Sequence, residues 1–159
     1  MTNEQFTVYA KKYIDTVFRV AFNYLGSRAD ADDVTQNVFL KLLEAEKDFE
    51  SDDHVKNWLI RVTVNECHNL VHSHWWKQPS YEEWAENLVF DNPAHSELFY
   101  AVGDLPKKYR LPIYLHYYEG YTTEEIGQIL KKPKNTICAQ LRRGRERLKE
   151  ALKEAKDHV

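Results

Sequence analysis

Apolar residues at the start of the chain recur at the period of a helix. Phe6, Tyr9, Tyr13, Val17, Ala21 and Tyr24 fall three or four positions apart, and Gly26 follows where a helix needs a left-handed stop. Asp30 offers an N-cap for a second helix, whose inward stripe is Val34, Val38 and Leu42. Ser51, Asp52 and Asp53 can open a third helix running to about Trp75. Its apolar residues (Val55, Trp58, Leu59, Val62, Val64, Cys67, Val71) occupy more than one face, the pattern of a helix packed between neighbours.

The period fails between Lys77 and Pro93. This stretch contains Pro79, Pro93 and the acids Glu82, Glu83, Glu86 and Asp91, with at most a short turn around Trp84 and Leu88, and it reads as a linker. Apolar positions resume near Ser96 with Leu98, Phe99 and Val102. Pro106 suits the first turn of a helix carrying Ile113, Leu115, Tyr117 and Tyr118 and ending at Gly120. No strand alternation or internal repeat is visible. The expected fold is all-α: two small helical domains, residues 1–76 and 96–159, joined by a linker over 77–95.

The most specific local signal follows Gly120. Thr122 can cap a short helix, with Glu125 completing a capping box. Ile126, Ile129 and Leu130 face inward, and Gly127 permits a close helix crossing. Pro133 punctuates the turn, and Asn135 or Thr136 can cap a second helix with Ile137, Leu141 and Leu148 buried and Gly144 closely packed. Arg142, Arg143, Arg145 and Arg147 lie outward on that helix, and Lys131, Lys132 and Lys134 lie on the turn before it. A capped short helix, a tight turn and a basic helix form a helix-turn-helix that can present its second helix to a DNA major groove.

Charge sharpens this picture. The net charge of −3 conceals a strong polarity: residues 1–104 hold 9 basic and 18 acidic side chains, whereas residues 105–156 hold 13 basic and 6 acidic. The basic part is suited to phosphate, and the acidic part is suited to a protein partner. No apolar run approaches the roughly 20 residues that span a bilayer, so membrane insertion is not expected. The first residues lack a secretory pattern, and the two cysteines, Cys67 and Cys138, form no disulfide framework; both features point to the cytoplasm.

His68 and His72 stand four residues apart, a spacing that can place two imidazoles on zinc, with Cys67 and His74 as possible additions. Cys67 fits the apolar stripe and no HExxH arrangement surrounds the pair, so no metal site is assigned and no cofactor is expected. A metal-binding sensor or hydrolase remains a remote alternative. No nucleophile and base fall together, and the chain is not expected to be an enzyme.

These residues also carry a family resemblance. Tyr121-Thr-Thr-Glu-Glu-Ile-Gly-Gln-Ile-Leu, then Thr136-Ile and Leu141-Arg-Arg-Gly-Arg, resembles region 4 of the sigma-70 family of RNA polymerase sigma factors, of the small extracytoplasmic-function type. Leu105-Pro-Lys-Lys-Tyr-Arg is similar to the opening of that region. Asp30-Ala-Asp-Asp-Val-Thr-Gln-Asn-Val-Phe-Leu-Lys-Leu resembles region 2.2, and Trp58-Leu-Ile-Arg-Val-Thr-Val-Asn resembles region 2.3.

The resemblance implies a bacterial factor that binds core polymerase and directs promoter-specific initiation. A sigma-like regulator that binds DNA without opening it is the alternative. It further implies that Asp33, Gln36, Asn37, Leu40 and Lys41 face the polymerase β′ clamp helices, with the β flap as a second contact. Arg61 and Asn65 would lie near the captured minus-ten strand, and Trp58 would be core. After Asn65 the family pattern carries several arginines. Here the stretch is Glu66-Cys-His-Asn-Leu-Val-His-Ser-His-Trp-Trp-Lys, in which Trp75 and Trp76 can stack on bases.

The implied minus-thirty-five reader comprises Lys134, Asn135, Thr136, Cys138, Ala139, Gln140, Arg142, Arg143 and Arg145. Its Cys138-Ala139-Gln140 start departs from the family pattern of Lys or Arg, Ser, Arg. Gln140 can pair with adenine and Ala139 can touch a thymine methyl. An anti-sigma factor is a further partner that the family often has.

Overall fold

The computed structural model describes residues 1–77, 79 and 101–157, and all regular structure among them is helical. The chain divides into two compact units, Met1–Gln78 and Pro79–Val159. The expected turn around Trp84 and Leu88, the start near Ser96, and Leu98 and Phe99 lie outside the described residues.

The first unit is a three-helix bundle in which every pair of helices is in contact. Helix α1 (Asn3–Leu25) opens with a reciprocal capping box between Thr2 and Gln5 and stops at Gly26, whose φ of 70° lets its N–H reach the Phe22 carbonyl. Helix α2 (Arg28–Glu44) is capped by Ser27, not by Asp30. The Ser27 hydroxyl accepts the Asp30 N–H at 3.2 Å. Asp30 therefore sits in the first turn, where its carboxylate favours the helix dipole and stays free for another partner.

Helix α3 (Asp52–Val71) is capped by Ser51, with Asp52 and Asp53 in its first turn. It stops short of the expected end at Trp75. Ser73 turns both its N–H and its hydroxyl onto the Leu70 carbonyl, at 3.0 and 2.7 Å, which closes the last turn in place of a further helical bond.

Val17, Val20 and Ala21 of α1, Val38 and Leu42 of α2, and Val55, Leu59 and Ile60 of α3 are buried to within about 1% of completely. Two hydroxyls go inside with them. Thr35 donates to the Ala31 carbonyl and Thr63 to the Leu59 carbonyl, at 2.7 and 2.6 Å, so neither is left unsatisfied. Trp58, expected in the core, is only half-buried and meets the edge of Phe49 at 5.7 Å.

The second unit sets two short helices against one long one. Val102 and Leu105 are buried ahead of α4 (Lys107–Tyr117). The Arg110 guanidinium donates to the Gly103 carbonyl at 3.1 Å, and burial pushes its pKa down to about 10. Helix α4 ends at Tyr117 rather than at Gly120. The Tyr118 N–H closes it on the Tyr114 carbonyl.

Helix α5 (Thr123–Leu130) carries the expected Thr122–Glu125 capping box. Helix α6 (Lys134–Asp157) starts at Lys134, ahead of the expected caps Asn135 and Thr136. Pro133 supplies the carbonyl that accepts the Ile137 N–H at 3.2 Å, and its own missing N–H is no loss at a helix entrance.

Candidate nucleic-acid and polymerase interfaces

The turn between α5 and α6 is made by close contact and by one unusual backbone conformation. A Cβ added at Gly127 would lie 2.7 Å from the Lys132 carbonyl oxygen, a backbone atom that cannot step aside. At Gly144 an added Cβ would meet Ile113 Cγ1 at 2.9 Å, so glycine also brings α6 onto α4. Lys131 takes φ 55° and ψ 48°, the left-handed region, and the N–H groups of Lys131 and Lys132 both reach the Gly127 carbonyl. Glycine is the usual choice there, and a lysine holds that shape at a cost.

With the turn fixed, α6 presents Lys134, Asn135, Thr136, Cys138, Arg142, Arg143 and Arg145 to solvent, with Ala139 half-buried. Gln140 is a correction. It is 8% exposed, on the stripe that Ile137, Leu141 and Gly144 turn toward α4 and α5, so it cannot reach a base edge as expected. Its Oε1 has no hydrogen-bond partner among the described residues. Counting three residues on from Ile137 would have placed it inward.

The exposed cations differ in how free they are. Lys134 pairs with Glu124 at 3.0 Å, and that hydrogen bond raises its pKa. Arg145 Nη1 donates to the Tyr117 hydroxyl at 3.1 Å, and Arg147 lies over the Tyr109 ring at 5.0 Å. Burial pushes the Tyr109 phenol up, but Lys108, Arg147 and Arg143 together hold it below its ordinary value.

On the first unit, Asp33, Gln36, Asn37, Leu40 and Lys41 share the outward side of α2. Leu40 is 54% and Leu43 51% exposed, an apolar element that only Leu40 had signalled. Lys41 forms an ion pair with Glu66 of α3. Asp33 and Asn37 line an open cleft of about 410 Å³ with Asp30 and Glu66.

Arg61 and Asn65 are exposed one turn apart on α3. Trp75 and Trp76 separate sharply: Trp75 is 93% exposed, whereas Trp76 donates its indole N–H to Asp30 Oδ2 at 3.1 Å and is half-buried. Trp76 is thus held against α2 rather than free to stack on a base. The sequence reading missed Phe49, which meets the edges of Tyr9, His54 and Trp58 at 6.2, 5.2 and 5.7 Å. An aromatic just before a serine cap was its only signal.

His68 and His72 do fall together, with ring centroids 4.2 Å apart, and the His72 Nδ1 lies 2.8 Å from the His68 carbonyl oxygen. Cys67 is fully buried, pointing away from them into the core. Among the described residues, no three or more histidine, cysteine, aspartate or glutamate side chains gather as a metal site would require. No described helix is long and apolar enough to cross a membrane.

A bundle with an outward acidic and apolar helix, joined in one chain to a helix-turn-helix with a basic second helix, defines a class of modular transcription protein. Comparison with known proteins makes that class specific. Residues 9–77 match the family model for sigma-70 region 2, and residues 96–148 match that for sigma-70 region 4. The chain belongs to the sigma-70 family, as a sigma factor of the extracytoplasmic-function type.

Among its relatives is the ECF RNA polymerase sigma factor SigE of Mycolicibacterium smegmatis, 26% identical over 153 residues. That alignment covers 89% of this chain and 59% of the relative's length. SigW of Bacillus subtilis is 24% identical, covering 89% of this chain and 86% of that one. The sigma-E factor of Escherichia coli is 26% identical, with 89% and 83% covered. The fold is also similar to that of the sigma factor RpoE of Bartonella quintana, solved in complex with the anti-sigma factor NepR. There the TM-score is 0.71 at 20% identity, covering 94% of this chain and 98% of that one.

Proposed function

We propose that this chain acts without catalysis in the bacterial cytoplasm, as the subunit that brings core RNA polymerase to a small set of promoters. The observation that carries the reading is the pairing of two separate folded units with opposite surface chemistry, each matched to its own sigma-70 region. In this reading, domain boundaries near residues 76 and 96 divide two tasks.

The first unit docks on the polymerase β′ clamp helices through Asp33, Gln36, Asn37, Leu40 and Lys41. Exposed leucines beside acids and amides support this, because such a face suits a protein surface and repels DNA. Arg61, Asn65 and Trp75 of the same unit face the unpaired minus-ten strand. The second unit reads the minus-thirty-five element with Asn135, Thr136, Cys138 and Ala139, while Arg142 and Arg143 grip phosphates and the β flap holds the unit in place. An anti-sigma factor is a further partner, a suggestion supported by the complex in which the Bartonella quintana relative was solved.

Run-off transcription with purified core polymerase over a fragmented genome tests the proposal. Promoter-dependent transcripts that require this chain are expected. Binding to DNA and polymerase without any such transcript would favour a regulator that does not open promoters.

A further inference from the structure

One flank of the second unit gathers positive charge that folding does not call for. Lys107 and Lys108 open α4, at the positive end of the helix dipole, where acids are favoured and cations cost stability. No acid stands in that first turn, and Pro106 offers no side-chain cap. A helix start so at odds with its own dipole marks a position kept for something other than stability.

The packing of α6 on α4 adds two more cations to the same place. A Cβ added at Gly144 would stand 3.4 Å from the Tyr109 Cβ, so α6 passes directly over the start of α4. Arg143 and Arg147 bracket Gly144 in sequence, one turn apart and both exposed. Lys108 and Arg147 are each held 5.0 Å from the centroid of the buried Tyr109 ring. The charges of Lys108, Arg143 and Arg147 all act on its phenol.

Among the described residues, no carboxylate forms an ion pair with Lys108, Arg143 or Arg147. Asp104, Glu150 and Glu154 line a cleft of about 370 Å³ with Arg147, yet none of them pairs with it. Three like charges around one ring repel one another, and a multiply charged anion among them reverses that cost. Two guanidinium forks and an ammonium suit the tetrahedral oxygens of phosphate. The ring already holds two of the three heads, so little entropy is lost when the anion arrives.

We propose that Lys108, Arg143 and Arg147 form a binding site for a phosphate group, with Tyr109 as the platform that positions Lys108 and Arg147. The site lies on the α4 side of α6, away from the residues assigned to base edges. A phosphate of a duplex backbone is one source, because Arg143 already belongs to the proposed phosphate grip. That source rests on the proposed DNA-reading role of the second unit. A free phosphate offers the same chemistry.

The test uses the full chain with a duplex of arbitrary sequence and, in the absence of DNA, with inorganic pyrophosphate. Lys108→Gln and Arg147→Gln should each lower the slope of duplex binding against salt by about 0.9, whatever the sequence of the duplex. Arg147→Lys keeps the charge and should keep the slope. Lys108→Glu separates this role from a structural one. An acid in the first turn of α4 should raise the melting temperature while weakening duplex binding at least about tenfold at low salt.

Lowered slopes without saturable pyrophosphate binding assign the site to the duplex backbone. Saturable pyrophosphate binding that Arg147→Gln abolishes, with slopes unchanged, assigns it to a free phosphate. Unchanged slopes and no saturable binding would overturn the site. So would a Lys108→Glu chain that loses stability and affinity together, or Arg147→Lys lowering the slope as much as Arg147→Gln. Run-off transcription judges the sigma-factor reading separately. A chain whose variants lower the slope but which yields no transcript keeps the site and loses that reading.

Discussion

The two units meet opposite demands with different packing. In the first, helices of 23, 17 and 20 residues enclose a thick aliphatic core, and the outward side of α2 carries leucines that remain exposed. In the second, helices of 11 and 8 residues are drawn onto a third by glycine contacts, and that third helix turns cations outward. In its proposed docking role, α2 needs only a stable backing, and long helices with large side chains supply it. In the proposed role, α6 must be held at a fixed angle to enter a groove, and the close approaches at Gly127 and Gly144 help to set that angle. The first unit should therefore be sensitive to lost volume and the second to added volume.

The largest effect expected is on the first unit. Leu59 is 1% exposed among α1 and α2 residues, and Leu59→Ala should cost about 2–5 kcal/mol through lost burial and an unfilled cavity. Native-state hydrogen exchange reads the two units separately, and protection should fall in α1–α3 while α4–α6 keep theirs. Equal loss in both would mean that the two units do not stand alone energetically.

The second unit should respond to the opposite change. Gly127→Ala normally helps a helix by about 1 kcal/mol, yet the added methyl would meet the Lys132 carbonyl at 2.7 Å. A net destabilisation of about 1–3 kcal/mol by chemical denaturation is expected, as for other overpacked sites. A stabilised variant would show that the α5–α6 turn can relax, which would erase the contrast between the units.

A smaller effect of the reverse sign is expected one turn on. Lys131 holds a left-handed conformation that favours glycine by about 1 kcal/mol. Lys131→Gly should raise the melting temperature of the full chain. No change would mean that the extra backbone freedom glycine gives the unfolded chain offsets the relieved strain.

The stripes of α1 and α2, the Thr122–Glu125 box and the two glycine contacts were legible in the sequence because each is a local rule. A periodicity, a cap three residues from its partner, or a small residue at a crossing needs no knowledge of the rest of the fold. What escaped depended on competition or on distance. Both Ser27 and Asp30 can cap α2, and only the built turn shows serine taking the cap and leaving the aspartate free.

That freed aspartate meets Trp76, 46 residues away, a pairing that no spacing rule could supply. Reading Trp75 and Trp76 as equivalent followed from their adjacency, but past the end of α3 one is exposed and the other is half-buried and bonded to Asp30. Gln140 was misplaced for another reason. Its polarity suggested solvent, while the period set by Ile137 and Leu141 put it inside, and the period won.

The smallest effect expected concerns the arginines of α6, which sequence alone treats as equal. Arg145 is bonded to the Tyr117 hydroxyl, whereas Arg142 and Arg143 are exposed without such a tie shown. Each phosphate contact contributes a slope of about 0.9 to the dependence of duplex binding on salt, or roughly threefold in affinity between low and moderate salt. Arg142→Ala and Arg143→Ala should each lower the slope by about that amount. Arg145→Ala should change it less, because the guanidinium must first leave its tyrosine. Tyr117→Phe removes the acceptor and keeps the ring, so it should steepen the slope of the otherwise unchanged chain by freeing Arg145. Equal slopes for Arg142→Ala, Arg143→Ala and Arg145→Ala, with no change in Tyr117→Phe, would mean that the Arg145–Tyr117 bond yields to DNA at no cost.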